Sequence, residues 1–305
     1  MSGVPTLEDM AAAGKRGLAE ALTLAETRAG DPGVIRLLDV ATASPKALVV
    51  GVTGPPGVGK STLTNALVAR WRGEGLSVGV IAVDPSSRFT RGALLGDRTR
   101  IRTDPDDAGA FVRSMAARDR LGGLSAHAVA GMVLMRAVFD RVIVESVGIG
   151  QSEADIGFVA DCVILCVQPG SGDSLQYMKA GITELPDIFV VTKGDLGKPA
   201  IRARADVEGA LSLAGDAARK PAVLVVSSAE KDGFSGLEEA LEAHWKRLGG
   251  DGFAARRRAQ CDAWVEDFVR DRYGRDGLKR AGDMRRGAAG PFARMAALAA
   301  ALDPN

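Results

Sequence analysis

One octapeptide limits what this chain can fold into more than any other feature: Gly54-Pro55-Pro56-Gly57-Val58-Gly59-Lys60-Ser61 matches the pattern GxxxxGK[ST]. It stands between an apolar run, Ala47 to Thr53, and a segment of helical spacing, Lys60 to Trp71. A strand before and a helix after are what distinguish a phosphate cradle from an incidental glycine turn. Gly54, Gly57 and Gly59 let the backbone curl so that successive amide N–H groups face one point, and the start of the helix adds its positive end. Pro55, Pro56, Val58 and Thr62 complete the expected nucleotide-binding segment. Lys60 is expected to hold the β- and γ-phosphates, and Ser61 to ligate Mg2+.

Around this loop, short apolar runs alternate with longer helical or loop segments: Val78 to Val83, Arg141 to Glu145, Cys162 to Val167, Ile188 to Thr192 and Ala222 to Val226. Runs without polar alternation suit strands covered on both faces. The fold class that follows is α/β, a doubly wound and mostly parallel P-loop core. Leu7 to Arg28 and Val34 to Thr42 read instead as amphipathic helix, and helical spacing returns after Gly249-Gly250-Asp251-Gly252, which reads as a break. The expected division is a helical N-terminal extension over 1–45, a core over 46–248 and a helical C-terminal extension over 249–305. The helical ends offer apolar faces for the core or for a second subunit.

After the run Ile188 to Val191 comes Thr192-Lys193-Gly194-Asp195, a variant of the NKxD motif. Guanine presents N1–H and the N2 amine side by side, and one carboxylate accepts from both, whereas adenine offers neither donor there. By analogy with groove readout such a bidentate contact is worth about 1–3 kcal/mol of base discrimination. Asp195 is therefore the expected base reader, with the stem of Lys193 along the ring plane. Thr192 stands where the motif has asparagine, so a hydroxyl replaces the amide that braces the loops. Ser228, Ala229 and Glu230 follow the last apolar run and resemble a loop whose backbone contacts the guanine carbonyl. GTP and GDP are the expected nucleotides.

Three carboxylates are expected near the phosphates: Asp84 and Glu145 at strand ends, and Asp97 in Gly96-Asp97-Arg98. Strand carboxyl ends converge on the ligand crevice of an open α/β sheet. Acids facing a triphosphate need a cation, and Mg2+ suits oxygen ligands. Glu145 is read as the principal acid, with Asp84 and Asp97 as further magnesium ligands or water positioners. Lys60, Asp97 and Glu145 form the expected catalytic set. Gln151 lies near a glycine-rich loop, at an offset that gives it no catalytic assignment.

Lysine and arginine (39) nearly balance aspartate and glutamate (38), so a net charge of +1 supplies no general attraction for nucleic acid or anionic membrane. No stretch reaches the roughly 18 apolar residues of a membrane span. The first ten residues do not read as a secretory signal. Cys162, Cys166 and Cys261 are too few for a disulfide framework, so the expected compartment is the cytoplasm. Cys162 and Cys166 read as buried strand thiols, and His127 and His244 as isolated structural or surface residues. Arg256-Arg257-Arg258 contacts an acidic partner or forms a solvated helix face.

DPSS at 84–87, LGDRTRI at 95–101, LGGLS at 121–125, ESVGIGQSE at 145–153, PGSGDSLQ at 169–176, KAGI at 179–182 and TKGD at 192–195 together resemble the MeaB/ArgK family of GTPases. The resemblance implies a homodimeric GTPase that binds an adenosylcobalamin-dependent acyl-CoA mutase, gates its cofactor loading and protects or reactivates it. It also implies slow intrinsic hydrolysis stimulated by the partner, with switch loops around Asp84 to Arg100 and Arg113 to Ser125. Thr90-Arg91-Gly92 departs from the family's usual Thr-Gly-Gly and adds a charge to the first of these. A metallochaperone GTPase would need a cysteine or histidine cluster, and a small-molecule or protein kinase would have little use for Asp195.

Overall fold

The computed structural model describes residues 3–84, 101, 103–116, 125–146, 156–170, 186–213 and 221–303. Its strands are β1 (Leu48–Thr53), β2 (Val78–Asp84), β3 (Ala110–Ala116), β4 (Arg141–Glu145), β5 (Cys162–Val167), β6 (Ile188–Val191) and β7 (Ala222–Val225). Among the described residues the main helices are α1 (Leu7–Ala12), α2 (Gly14–Thr27), α3 (Pro32–Ala43), α4 (Lys60–Gly73), α5 (Ala126–Val138), α6 (Lys198–Leu213), α7 (Phe234–Ala281) and α8 (Pro291–Leu302). The chain divides into two compact units: Val49–Ser125 with Arg141–Gly249, and Met1–Leu48 with Ala126–Asp140 and Gly250–Asn305.

The first unit holds a seven-stranded sheet in the order β3-β2-β4-β1-β5-β6-β7. Every described register is parallel. This is the doubly wound α/β sheet expected of the apolar runs. All residues of β5 and β6 are buried, as strands covered on both faces must be. Part of that cover is α6, whose Ala200 and Val207 pack on Leu165, Val167, Phe189, Val191 and Val223. Chain order reverses at β1, which lies between β4 and β5, and in such sheets the ligand crevice opens at the carboxyl ends of these strands. The helix that follows β1, α4, buries Leu63, Leu67, Val68 and Trp71. It is fixed by Arg70, whose Nε and Nη2 donate to the two carboxylate oxygens of Glu238 at 2.8 and 2.5 Å.

β3 is the one strand that the apolar runs do not announce. Its sequence, Ala-Phe-Val-Arg-Ser-Met-Ala, is interrupted by Arg113 and Ser114, which an edge strand tolerates because it is covered less completely. Arg113 to Ala116, expected in a switch loop, are therefore strand residues, with Arg113 paired to Ile81 and Ala116 to Asp84. Residues 117–124 lie outside the described residues.

In the second unit the helix expected over Leu7 to Arg28 is two, α1 and α2, with Ala13 between them and Gly14 at φ +60°. Asp31 starts α3 by accepting from the Gly33 amide at 2.8 Å, with Pro32 at the first helical turn. α5 packs against α2 and α3. The amides of Lys46 and Ala47 both donate to the Arg136 carbonyl, at 2.9 and 2.8 Å, which holds the chain leaving α3 against the end of α5. Val265, Val269 and Ala281 of α7 form a core with Leu298 and Leu302 of α8. α7 itself continues through Gly249-Gly250-Asp251-Gly252, where the glycines predict a break; the chain stays helical there although Gly249 takes φ +58°. No helix among the described residues is long and apolar enough to cross a membrane.

Candidate functional site

The loop between β1 and α4 takes the shape that its glycines allow. Gly54, Gly57 and Gly59 have φ of +138°, +75° and +105°, a region that side chains with a Cβ rarely enter. At Gly54 the constraint is double, since a Cβ there would lie 2.4 Å from the Cys166 carbonyl oxygen. The loop thus starts pressed against the end of β5. Lys60 is nearly buried, and its Nζ donates to the carbonyls of Gly54 at 2.8 Å and Pro55 at 3.1 Å. The ammonium therefore sits over the loop and not out in solvent.

Ser61 and the strand-end acid Glu145 are in direct contact. Ser61 Oγ donates to Glu145 Oε1 at 2.6 Å, and Thr64 Oγ1 donates to Oε2 at 2.8 Å. Thr64 is a site residue that the sequence reading missed; its signal is the position one helical turn after Lys60. Beside them the hydroxyls of Thr53 and Ser146 are bonded at 2.8 Å, joining the ends of β1 and β4. A carboxylate and a serine hydroxyl this close, at the mouth of a phosphate loop, form the set of hard oxygen donors that a divalent cation with phosphate ligands takes. Asp84 ends β2 two residues beyond Ala82, the register partner of Glu145. Asp97 and Gln151 lie outside the described residues.

Burial pushes the Cys166 thiol up to about 12, against the pull of Lys60 and helped by the Glu145 charge. It is a neutral wall of the site and no nucleophile.

At the other end of the crevice, Thr192 performs the bracing that its motif assigns to asparagine. Its Oγ1 donates towards the Val58 carbonyl at 2.6 Å and the Val167 carbonyl at 3.1 Å, and its amide also donates to Val167 O at 2.9 Å. One buried residue thus joins β5, β6 and the phosphate loop. Lys193 adopts φ +55° and its Nζ donates to Gln168 Oε1 at 2.6 Å. Both Lys193 and Asp195 are exposed. Ser227 Oγ donates to Asp195 Oδ1 at 3.0 Å and accepts from the Glu230 amide at 3.1 Å. The Gly194 amide donates to Val226 O at 3.0 Å. Ser227, next to the expected Ser228, Ala229 and Glu230, is thus the residue that sets Asp195; its signal is a hydroxyl at the end of β7. Ser228 is half-buried, and Ala229 and Glu230 are exposed in the turn that follows.

A second cluster lies at the opposite ends of the strands. Cys162, Asp187 and His244 are buried within 4.8 Å of one another, so His244 is not the isolated residue it looks in the sequence. Its Nε2 faces the Asp161 carbonyl at 2.9 Å and its Nδ1 faces Arg247 Nη2 at 2.9 Å. A carbonyl only accepts and a guanidinium only donates, so the ring is neutral with its proton on Nε2. Neither nitrogen keeps a lone pair for a metal. The cluster is a structural network in which Asp187 and Asp161 also accept from the amides of Val163 and Val49, both at 2.9 Å.

Known proteins resemble this chain over most of its length. A family model described as Methylmalonyl Co-A mutase-associated GTPase MeaB matches residues 18–279. A relative from Pyrococcus horikoshii, named as a GTPase, is 41% identical over 266 residues, which make up 84% of this chain and 82% of the relative. The mitochondrial methylmalonic aciduria type A homolog of Mus musculus is 33% identical over 273 residues, 83% of this chain and 66% of that protein. The crystal structure of a LAO/AO transport system kinase is similar at a TM-score of 0.68 and 29% identity, covering 97% of this chain and 96% of its own.

Proposed function

The chain belongs to the methylmalonyl-CoA mutase-associated GTPase MeaB family and is a P-loop GTPase that binds GTP and GDP, and from this premise we propose that its hydrolysis serves a cobalamin-dependent acyl-CoA mutase. In this reading the protein is a chaperone: it binds the mutase, gates loading of the adenosylcobalamin cofactor, and protects or reactivates the enzyme. The observation that carries the reading is the family match over residues 18–279, supported by the relative named for methylmalonic aciduria. We propose further that the protein is a cytoplasmic homodimer built through the helical C-terminal region, 249–305.

The site supports specific roles for its residues. Asp195, set by Ser227, accepts from N1–H and N2 of guanine, while Lys193 lies along the ring. The amides from Gly54 to Thr62 and the Lys60 ammonium hold the phosphates. Ser61 and Glu145, with Asp84 and Asp97, would hold Mg2+, which would supply charge neutralisation on the phosphates when bound. A water oxygen forms the new bond to the γ-phosphorus as the bridging P–O bond breaks, the water proton passes to the released phosphate, and the bridging oxygen leaves with GDP. Lys60 offsets the charge that gathers on that oxygen.

The test is GTP turnover by the purified protein, with ATP as control, alone and with cobalamin-dependent mutases from the same genome. Marked stimulation by one mutase is expected. If no mutase binds or alters turnover, the chaperone reading fails; if ATP is used as readily as GTP, the assignment of Asp195 fails and a kinase becomes the better reading.

A further inference from the structure

The helical unit contains a cavity of about 730 Å3, within the range of roughly 300–1,000 Å3 of small-molecule sites. Its walls come from the end of α3, from α5, from the face of α7 around Arg257 and Cys261, and from the start of α8 with the turn before it. Five arginines line it, Arg136, Arg257, Arg258, Arg286 and Arg294, against a single carboxylate, Asp262. Pro45, Phe253 and Pro291 supply apolar wall between them.

This charge cannot be removed by titration, because guanidinium keeps its proton in proteins. Among the lining residues only the Asp262 carboxylate stands against it. Asp262 is engaged by Arg294, whose Nη1 donates to it at 2.7 Å and to the Arg285 carbonyl at 2.9 Å. Arg294 is only 8% exposed, and its buried Nε has no hydrogen-bond partner among the described residues. Arg258 and Arg286 are exposed at the rim, and their side chains make no ion pair or hydrogen bond with a described residue. Arg257 is oriented at its place, with its guanidinium 5.3 Å from the Phe253 ring and Nη2 donating to the Ala47 carbonyl at 3.0 Å. The positive end of α8 is already taken, since the amides of Phe292 and Ala293 both donate to Asp39 at 3.0 Å. Cys261 adds no anion either, because burial pushes its thiol up although Arg136 and Arg294 pull it down.

Forked donors in a partly desolvated concavity match the oxygens of a phosphate group, which each guanidinium can take with two parallel bonds. We propose that this cavity binds a small phosphate-bearing anion, either free diphosphate or a diphosphate ester whose organic part lies against Phe253 and Pro45. None of its lining residues belongs to the phosphate loop, and its occupancy does not depend on which protein the GTPase serves.

Isothermal titration of the full chain, saturated with GDP so that the phosphate loop is filled, tests this with pyrophosphate and with adenosine diphosphate as probes. Saturable binding of at least one probe is expected, weakening on raising the salt concentration. Stronger pyrophosphate binding identifies free diphosphate as the better ligand, and stronger adenosine diphosphate binding identifies an ester. The double variant Arg258→Ala/Arg286→Ala, which removes two exposed side chains and so leaves the packing intact, should bind at least about tenfold more weakly. Lys246→Ala, an exposed cation of the other unit, should leave binding unchanged. Absence of saturable binding by either probe overturns the proposal, and so does an equal loss in the Lys246 variant.

Discussion

Replacing Thr192 with valine isolates one hydroxyl at the joint between the phosphate loop and the loop that carries Asp195. Valine keeps the side-chain volume, so no cavity forms, and the only loss is the donor to the Val58 and Val167 carbonyls at 2.6 and 3.1 Å. Val167 O retains the Thr192 amide, so the cost falls mainly on the Val58 carbonyl, in a residue that is fully buried. Leaving a buried acceptor short of its donor costs about 1–3 kcal/mol, and the better burial of valine offsets part of this. The unfolding free energy in urea should therefore fall by roughly 1–2 kcal/mol with an unchanged denaturant slope. Val58 belongs to the peptides proposed to face the phosphates, so the Kd for GDP should rise by roughly five- to tenfold, about 1–1.4 kcal/mol. The preference for GTP over ATP should persist, because Asp195 is untouched. Thr192→Ser restores the hydroxyl and should recover most of both losses. A Thr192→Val protein whose stability and GDP affinity both stay within error of the parent would refute the claim that this hydroxyl holds the loop.

Two further outcomes follow from the site. Asp195→Asn replaces an acceptor pair by an amide that donates, so GDP binding should weaken by roughly 5- to 150-fold, while xanthosine diphosphate, which carries a carbonyl in place of the N2 amine, should gain; retained GDP affinity would remove Asp195 from base reading. Cys166 holds its proton to about 12 in the folded chain against 9.0 otherwise, so between those values the unfolded state binds fewer protons and stability falls as pH rises. Its contribution is complete below pH 9, and the stability difference between the parent and Cys166→Ala should narrow across pH 9 to about 12; a difference that stays constant through that window would contradict the burial of this thiol.

Where a residue type itself states a backbone demand, the sequence was readable. Gly54, Gly57 and Gly59 each take a positive φ, so their spacing already describes the loop. The apolar runs became buried parallel strands for the same kind of reason, because two covered faces leave no place for polar alternation. Contacts made across long stretches of chain were less legible. Ser61 with Glu145 follows from the chemistry of a nucleotide site, but Thr64 joins them from 81 residues away through a helix turn, and Ser227 reaches Asp195 across 32. His244 looks solitary until β5 and β6 bring Cys162 and Asp187 beside it. The glycines at 249, 250 and 252 misled for the opposite reason. Each lowers helix stability by about 1 kcal/mol, yet the helix from Phe234 to Ala281 runs through them.

The knot at Thr192 gives the crevice a property of its own. Because one side chain ties the end of β6, three residues before Asp195, to the loop that leads into Lys60, and Gly54 is seated on the Cys166 carbonyl of β5, the two grips proposed for a nucleotide stand at a fixed separation set by chain and sheet. On the proposed reading of the site, the protein acts as a caliper. A guanine compound with its phosphates too near the base or too far from it can satisfy one jaw only, so molecular length joins base identity as a criterion of admission.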